Sequence, residues 1–288
     1  MQPPLDACFH PAPDGGQRLF LHHTPPAGQP LRGAVLYVHP WAEEMNKSRR
    51  MAALASRALA AEGWAVLQLD LLGCGDSGGD FADARWPAWV QDVTDAAHWL
   101  AERHPGLPLW LWGLRCGALL AAQAREQIHP PPHLLLWQPV QQGRMALQQF
   151  LRLKAAAQLA DGGGKAIMDA VRRELAAGQA VDVAGYTLAA ELAQALEAAQ
   201  LVPPAAQPGR LVWLEVAGGP DAEISPAAAA ALPRWQAAGW VVQAAAVAGP
   251  AFWQTTEIED APALVAATVH ALAAVSYTHL TLPTKRIV

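Results

Sequence analysis

Gly113-Leu114-Arg115-Cys116-Gly117 lies between two stretches of opposite character. The run before it, Leu107-Pro108-Leu109-Trp110-Leu111-Trp112, reads as a buried strand, and the run after it, Ala118 to Ala124, has the Ala and Leu content of a helix. Passing from strand to helix within five residues, glycine at both ends, requires a sharp turn. The central residue of such a turn is strained, and only small neighbours let the strand and helix approach.

Apolar runs alternate with helical patterns along the rest of the chain, which signals a mainly parallel, doubly wound α/β sheet with crossover helices. Strands are expected near 18–23, 34–39, 65–70, 109–112, 133–137, 211–217 and 241–247. Helices are expected near 47–62, 86–102, 118–127, 227–238 and 262–274. Most of the strand runs are nearly continuous in Val, Leu and Trp, as strands covered on both faces are. From Gln141 to Pro204 no strand-like run occurs, only helical stretches near 145–159, 165–177 and 188–199, with a Gly162-Gly163-Gly164 hinge between the first two. An insertion of about 60 residues exceeds an ordinary crossover, so residues 141–204 read as a helical cap on a single domain spanning 1–275. The Thr-rich, Ala-free stretch 276–288 does not share this composition and reads as a non-native tail.

A chain of 288 residues, 52% hydrophobic, suffices for one α/β domain with a full core. With 16% charged residues, a net charge of −5 and no basic block, nucleic acid is not an expected partner. Three scattered cysteines, Cys8, Cys74 and Cys116, point to neither a disulfide framework nor a zinc site, and no metal or other cofactor is expected. No apolar run reaches the roughly 20 residues of a membrane span, and no signal peptide opens the chain, so a cytoplasmic location is expected.

Five landmarks follow one another in a definite order. Tyr37-Val38-His39-Pro40-Trp41 closes a strand; Asp70-Leu71-Leu72-Gly73-Cys74-Gly75-Asp76-Ser77-Gly78 follows the next, in the pattern D-x-x-G-x-G-x-S-x-G. The glycine-flanked turn comes third, the helical insertion fourth, and Gly219-Pro220-Asp221-Ala222-Glu223-Ile224-Ser225-Pro226 fifth. The order resembles that of the α/β-hydrolase superfamily over almost the whole chain. Within it, His39 to Met51, Trp112-Gly113-Leu114-Arg115 and Phe252-Trp253-Gln254-Thr255 resemble the exosortase A system-associated hydrolases, the type called hydrolase 2. That resemblance implies a setting in PEP-CTERM protein sorting and exopolysaccharide production, with export or polysaccharide components and a small-molecule or acyl ligand as partners.

The superfamily pattern of Gly-x-Ser-x-Gly puts the nucleophile at the apex of the turn, and there this chain carries Arg115. The acid position falls on Asp221, with Glu223 nearby, and the histidine position falls on Phe252. His270 lies deep in the final helix. Without a base, Ser–His catalysis fails even where another nucleophile exists. Cys116 reads as a small buried hydrophobe, Ser77 as a turn-bonding residue and Ser48 as a helix cap beside Asn46. What the resemblance leaves is a pocket bordered by His39, with oxyanion donors at the Trp41 and Cys116 amides and Trp41, Trp112, Trp137 and Trp253 as candidate aromatic lining. A guanidinium there must be paired, with Glu43, Glu44 and Asp221 as partners. It then either locks the site internally or grips a carboxylate or phosphate. Two readings stand: an ester or thioester hydrolase with a degenerate triad, and a non-catalytic protein that binds an anionic ligand or partner through the Arg115 pocket.

Overall fold

A computed structural model describes residues 3–157, 164–205, 207–219 and 221–279 of the chain. Its elements run β1 (Leu5–Pro11), β2 (Gln17–His23), β3 (Gly33–Val38), α1 (Glu43–Ala61), β4 (Trp64–Leu69), α2 (Trp86–Arg103), β5 (Leu109–Leu114), α3 (Gly117–Ala124) and β6 (His133–Trp137). There follow α4 (Gly143–Ala157), α5 (Gly164–Ala176), β7 (Val181–Val183), β8 (Tyr186–Leu188), α6 (Ala190–Ala198), β9 (Arg210–Ala217), α7 (Pro226–Ala237), β10 (Val241–Ala248) and α8 (Pro262–His279).

The main sheet has the order β1-β2-β4-β3-β5-β6-β9-β10. β1 and β2 run antiparallel, and every pairing from β4 to β10 is parallel. The central strands are apolar on both faces because both faces are covered. On β3, Ala34, Leu36 and Val38 enter the core beneath α2 and α3, while Val35 and Tyr37 enter the core beneath α1 and α8. β5 splits in the same way, Leu111 to the first core and Trp110 and Trp112 to the second. This is the doubly wound, mainly parallel sheet expected from the alternating pattern.

The insertion between β6 and β9 departs from the purely helical expectation. A β7–β8 hairpin stands between α5 and α6, with Val183 paired to Tyr186 across Ala184-Gly185. Both turn residues have positive φ, 50° and 85°, as a tight hairpin turn requires. Strands of three residues are too short to show alternation, and alanine replaces the usual Asn or Asp in the turn, so the sequence carried no hairpin signal. An aromatic seam joins this insertion to the body, Trp41–Phe150 at 4.6 Å and Phe81–Tyr186 at 5.1 Å, and Phe150 meets Tyr186 within the insertion at 6.2 Å. β1 also went unread, because Leu5-Asp6-Ala7-Cys8-Phe9-His10-Pro11 is mostly exposed and polar enough to pass for a loop. Helix α8 continues to His279, beyond Ala274 where the composition changes. Residues 280–288 of the suspected tail, and Gly162 and Gly163 of the hinge, lie outside the described residues.

Two buried histidines on β2 are expected to make the fold sensitive to acid. His22 is packed edge-on to Trp99 at 5.3 Å, with its Nε2 3.2 Å from His104 Nε2, and His23 bonds Gln68 at 2.9 Å. Burial pulls both down from 6.5 to about 4, helped at His22 by His104 and Arg103 and at His23 by Arg57. As pH falls through 6.5 the unfolded chain takes up these protons and the folded chain does not, so stability is present above 6.5 and lost towards 4. We expect up to about 3 kcal/mol lost per histidine over that window, measured by urea unfolding at stepped pH. An equal loss in a His22→Gln/His23→Gln variant would show that other groups are responsible.

Candidate functional site

Arg115 occupies the apex between β5 and α3 with φ 55°, a conformation few non-glycine residues adopt. The two glycines make this turn sterically feasible. A Cβ on Gly113 would stand 2.5 Å from Ala118 Cα, and one on Gly117 would collide with the Val38 carbonyl oxygen of β3. The Arg115 amide donates to Trp137 O at 3.0 Å, and its carbonyl accepts from Val140 N at 3.2 Å, so the loop after β6 braces the turn.

The guanidinium leans on α1. Arg115 Nε and Nη2 donate to Glu44 Oε1 at 3.2 and 3.1 Å, and Nη2 also donates to Gln149 Oε1 of α4 at 3.3 Å. The Trp253 ring lies 5.3 Å from the guanidinium carbon, within the range of a cation–π contact. Both side chains of the ion pair are mostly buried, 13% exposed for Arg115 and 9% for Glu44. Burial pushes the Glu44 carboxyl up, against the downward pull of Arg115. Glu44 sits in the first turn of α1, where the helix dipole favours a carboxylate. The required partner for the guanidinium is therefore Glu44; Glu43 is half-buried and not bonded to Arg115, and Asp221 is exposed on the loop after β9.

The other expected site residues are placed as follows. His39 is buried, with Nδ1 2.6 Å from Pro40 O and Nε2 3.2 Å from Leu71 N. A carbonyl only accepts and an amide only donates, so His39 is a neutral ring protonated at Nδ1, and it braces the loops after β3 and β4. Trp41 is buried against Phe150, and Cys116 is buried in the core, where burial pushes its thiol up. Phe252 stands in the core beneath α1 and α8, edge-on to Trp137 and Trp253. From the loop after β10 it is Trp253 that reaches Arg115. Of the four tryptophans read as candidate lining, Trp112 and Trp137 are fully buried core residues packed 4.5 Å apart. Ser77 Oγ donates to Asp70 O and accepts from Leu19 N, which is the turn-bonding role expected of it. Ser48 is not a cap: it lies inside α1 and donates to Glu44 O at 2.7 Å. His270 is exposed on α8.

A cleft of about 410 Å³ opens beside Arg115 at the carboxyl ends of β6 and β9, with α4 forming one wall. Besides Arg115, its polar lining is mostly absent from the sequence reading: Gln138, Gln141, Gln142 and Gln149, with Glu215 and Ser225. Glu215 is buried on β9 and accepts three hydrogen bonds, from Trp213 Nε1 at 3.1 Å, Ser225 N at 2.7 Å and Ser225 Oγ at 3.0 Å. The signal for it was available, since a lone carboxylate within Leu211-Val212-Trp213-Leu214-Glu215-Val216 has to be partnered. Ser225 caps α7, accepting from Ala228 N at 3.2 Å. The glutamines carried no such signal. Among the described residues, no cluster of three or more His, Cys, Asp or Glu side chains is placed to hold a metal ion, and no helix is long and apolar enough to cross a membrane.

The serine aminopeptidase S33 family model matches residues 29–165, just under half of the chain. None of the curated proteins matches. Among solved structures, the esterase Est1E from Butyrivibrio proteoclasticus, bound to ferulic acid, superposes with a TM-score of 0.61 at 13% identity, covering 95% of this chain and 99% of its own. A soluble variant of monoglyceride lipase from Saccharomyces cerevisiae, with a substrate analogue, gives 0.62 at 12% identity, covering 98% and 97%. A thermostable carboxyl esterase from Bacillus coagulans gives 0.58 at 13%, covering 96% and 97%. The chain has the α/β-hydrolase fold.

Proposed function

We propose that this chain is a ligand-binding protein on a hydrolase scaffold, with a degenerate triad that does not carry out serine-type hydrolysis. The observation that carries this reading is the Arg115–Glu44 pair at the apex of the glycine-flanked turn between β5 and α3. A permanent cation occupies the place where the nucleophile would stand, and a carboxylate and Gln149 fix it there. The surroundings support the same reading: Cys116 is buried, Ser77 and Ser48 are engaged with backbone, and His39 is a structural brace. The guanidinium is already neutralised, which argues for a locked site rather than a grip on an anion.

The resemblance of His39 to Met51, Trp112 to Arg115 and Phe252 to Thr255 supports a setting among exosortase, PEP-CTERM and exopolysaccharide systems, with a cytoplasmic location and sorting or polysaccharide components as partners. The experiment is direct. A fluorophosphonate probe incubated with purified protein is expected to leave it unlabelled, with the denatured protein and an active esterase as controls.

A hydrolytic reading has one specific observation in its favour. Ser225 borders the cleft with its hydroxyl 3.0 Å from the Glu215 carboxylate. Three donors already occupy that carboxylate, and the hydroxyl is committed to capping α7. Labelling by the phosphonate that disappears in Ser225→Ala would establish this reading and overturn the first.

A further inference from the structure

We infer that the outer edge of β10 pairs antiparallel with β10 of a second copy of this chain, in the register that sets Ala245 opposite itself. β10 ends the main sheet, and among the described residues its one strand partner is β9. Val241 N donates to Gly209 O and Gly249 N to Ala217 O, so the odd-numbered residues of this strand face β9. Backbone groups of successive residues point to opposite sides of a strand. The N–H and C=O groups of Val242, Ala244, Ala246 and Ala248 therefore line the outer edge.

Proteins guard such an edge with charge, proline or a bulge. β10 has none of the three. Val241-Val242-Gln243-Ala244-Ala245-Ala246-Val247-Ala248 is uncharged, and its pairing to β9 runs without interruption from Val241 to Ala248. The opposite edge strand, β1, carries Asp6 and His10 and ends on Pro11. The contrast extends to the helices around β10. α7 packs on β10, and α8 packs on β9 and β10. From Pro226 to Thr256 the one charged residue is Arg234, and from Ala261 to Ala274 there is none, with His270 counted as neutral. In a chain with 16% charged residues, that leaves this side of the molecule nearly free of charge. Its exposed residues include Ala229, Ala230 and Ala237 of α7 and Ala263 and Ala266 of α8, and Val241 is 62% exposed.

The geometry names a second copy as the occupant, because this edge complements itself. In the antiparallel register centred on Ala245, Val242 meets Ala248 of the copy and Ala244 meets its Ala246, each pair exchanging two backbone hydrogen bonds. All four outward residues of both copies are then paired. Sliding the strands by two residues in either direction leaves one outward residue of each copy without a partner. The two-fold axis stands perpendicular to the sheet, so the contact closes on itself as a dimer. α7 then faces α7 of the copy on one side of the joined sheet, and α8 faces α8 on the other. A surface rich in one sign of charge would repel its own copy; this one has almost no charge to repel with.

The oligomeric state of the full chain, read by sedimentation velocity over a concentration series, is expected to be dimeric. Ala244→Pro removes an outward N–H and no bond to β9, a change that an edge strand accommodates. It deletes two intermolecular hydrogen bonds per dimer and is expected to raise the dissociation constant about tenfold or more. Gln243→Lys puts a cation opposite Val247 of the copy, leaves the backbone free to pair with β9, and is expected to act in the same direction. It replaces the proline variant if thermal unfolding shows that variant to be misfolded. Cysteine substitution reads the register. In Ala245→Cys the two thiols meet at a non-hydrogen-bonded position, where Cα atoms are about 4.5 Å apart, within the range of a disulfide. Mild oxidation should therefore cross-link this variant as a dimer. Val241→Cys is the control for chance collision, since position 241 is the more exposed of the two yet lies opposite Gly249 of the copy. It should cross-link no more than the parent, which carries Cys8, Cys74 and Cys116. A monomeric parent, a dimer that both folded edge variants leave unchanged, or cross-linking of Val241→Cys as ready as that of Ala245→Cys overturns the inference. A dimer that forms only once residues 280–288 are removed also overturns it, by giving the edge to this chain's own terminus. None of these readouts depends on ligand binding or turnover, so phosphonate labelling tests the non-hydrolytic reading separately.

Discussion

Arg115→Ser is expected to show no esterase turnover above background, although it restores Gly-x-Ser-x-Gly to the sequence. Among the described residues, a serine at the apex would have no histidine base. His39 has both ring nitrogens engaged, Phe252 is buried in the core, and His270 is on the surface. In triad enzymes, loss of one member alone lowers kcat by about 10⁴- to 10⁶-fold, and the single variant should remain at least that far below an intact esterase. The geometry also dictates which second substitution matters. Phe252→His would put an imidazole among Trp137 and Trp253 in a dry core and should lower stability without activity. Trp253→His places it on the residue that meets Arg115, so Arg115→Ser/Trp253→His is the pair expected to give a first trace of p-nitrophenyl acetate hydrolysis. A burst of nitrophenol from Arg115→Ser alone would reveal a base that the described residues do not supply.

The same residue should dominate local stability. Arg115→Met removes the cation and leaves Glu44 buried, and breaking a buried pair from one side costs about 3–5 kcal/mol. Glu44→Gln added to Arg115→Met removes the stranded charge, so the double variant is expected to be more stable than Arg115→Met at neutral pH. The loss should depend on pH. The folded-state affinity of Glu44 for a proton is already raised by burial, and without Arg115 it rises further. Stability from such a group is present below its unfolded value and is lost as pH rises through the folded one. Arg115→Met should therefore come closest to the parent at acidic pH and fall furthest behind at neutral pH, as measured by denaturant unfolding at both. An equal deficit at every pH, or no gain from Glu44→Gln, would mean that the pair is not the source of the stability.

Fold and site were legible to different degrees. The central strands β3, β4, β5 and β6 were readable because each is buried on both faces and so nearly continuously apolar, and the glycine-flanked turn because only glycine fits at positions 113 and 117. The presence of a cation at the apex, and its need for a partner, also followed from residue type alone. Which carboxylate meets it did not. Glu43 and Glu44 are adjacent in sequence, and the helix geometry of α1 sends only Glu44 to Arg115. In the loop after β10 the one-residue difference between Phe252 and Trp253 decides which ring enters the core and which meets the guanidinium. The cleft was the least legible part. Its glutamines come from the loop after β6 and from the first turns of α4, and an uncharged polar residue leaves no mark in a sequence that requires burial or pairing. Composition and periodicity thus determined the sheet, the helices and the elbow, since burial and steric fit act on each residue type locally. The tertiary structure alone decided the partner of Arg115 and the lining of the cleft, since both bring together residues distant in the chain.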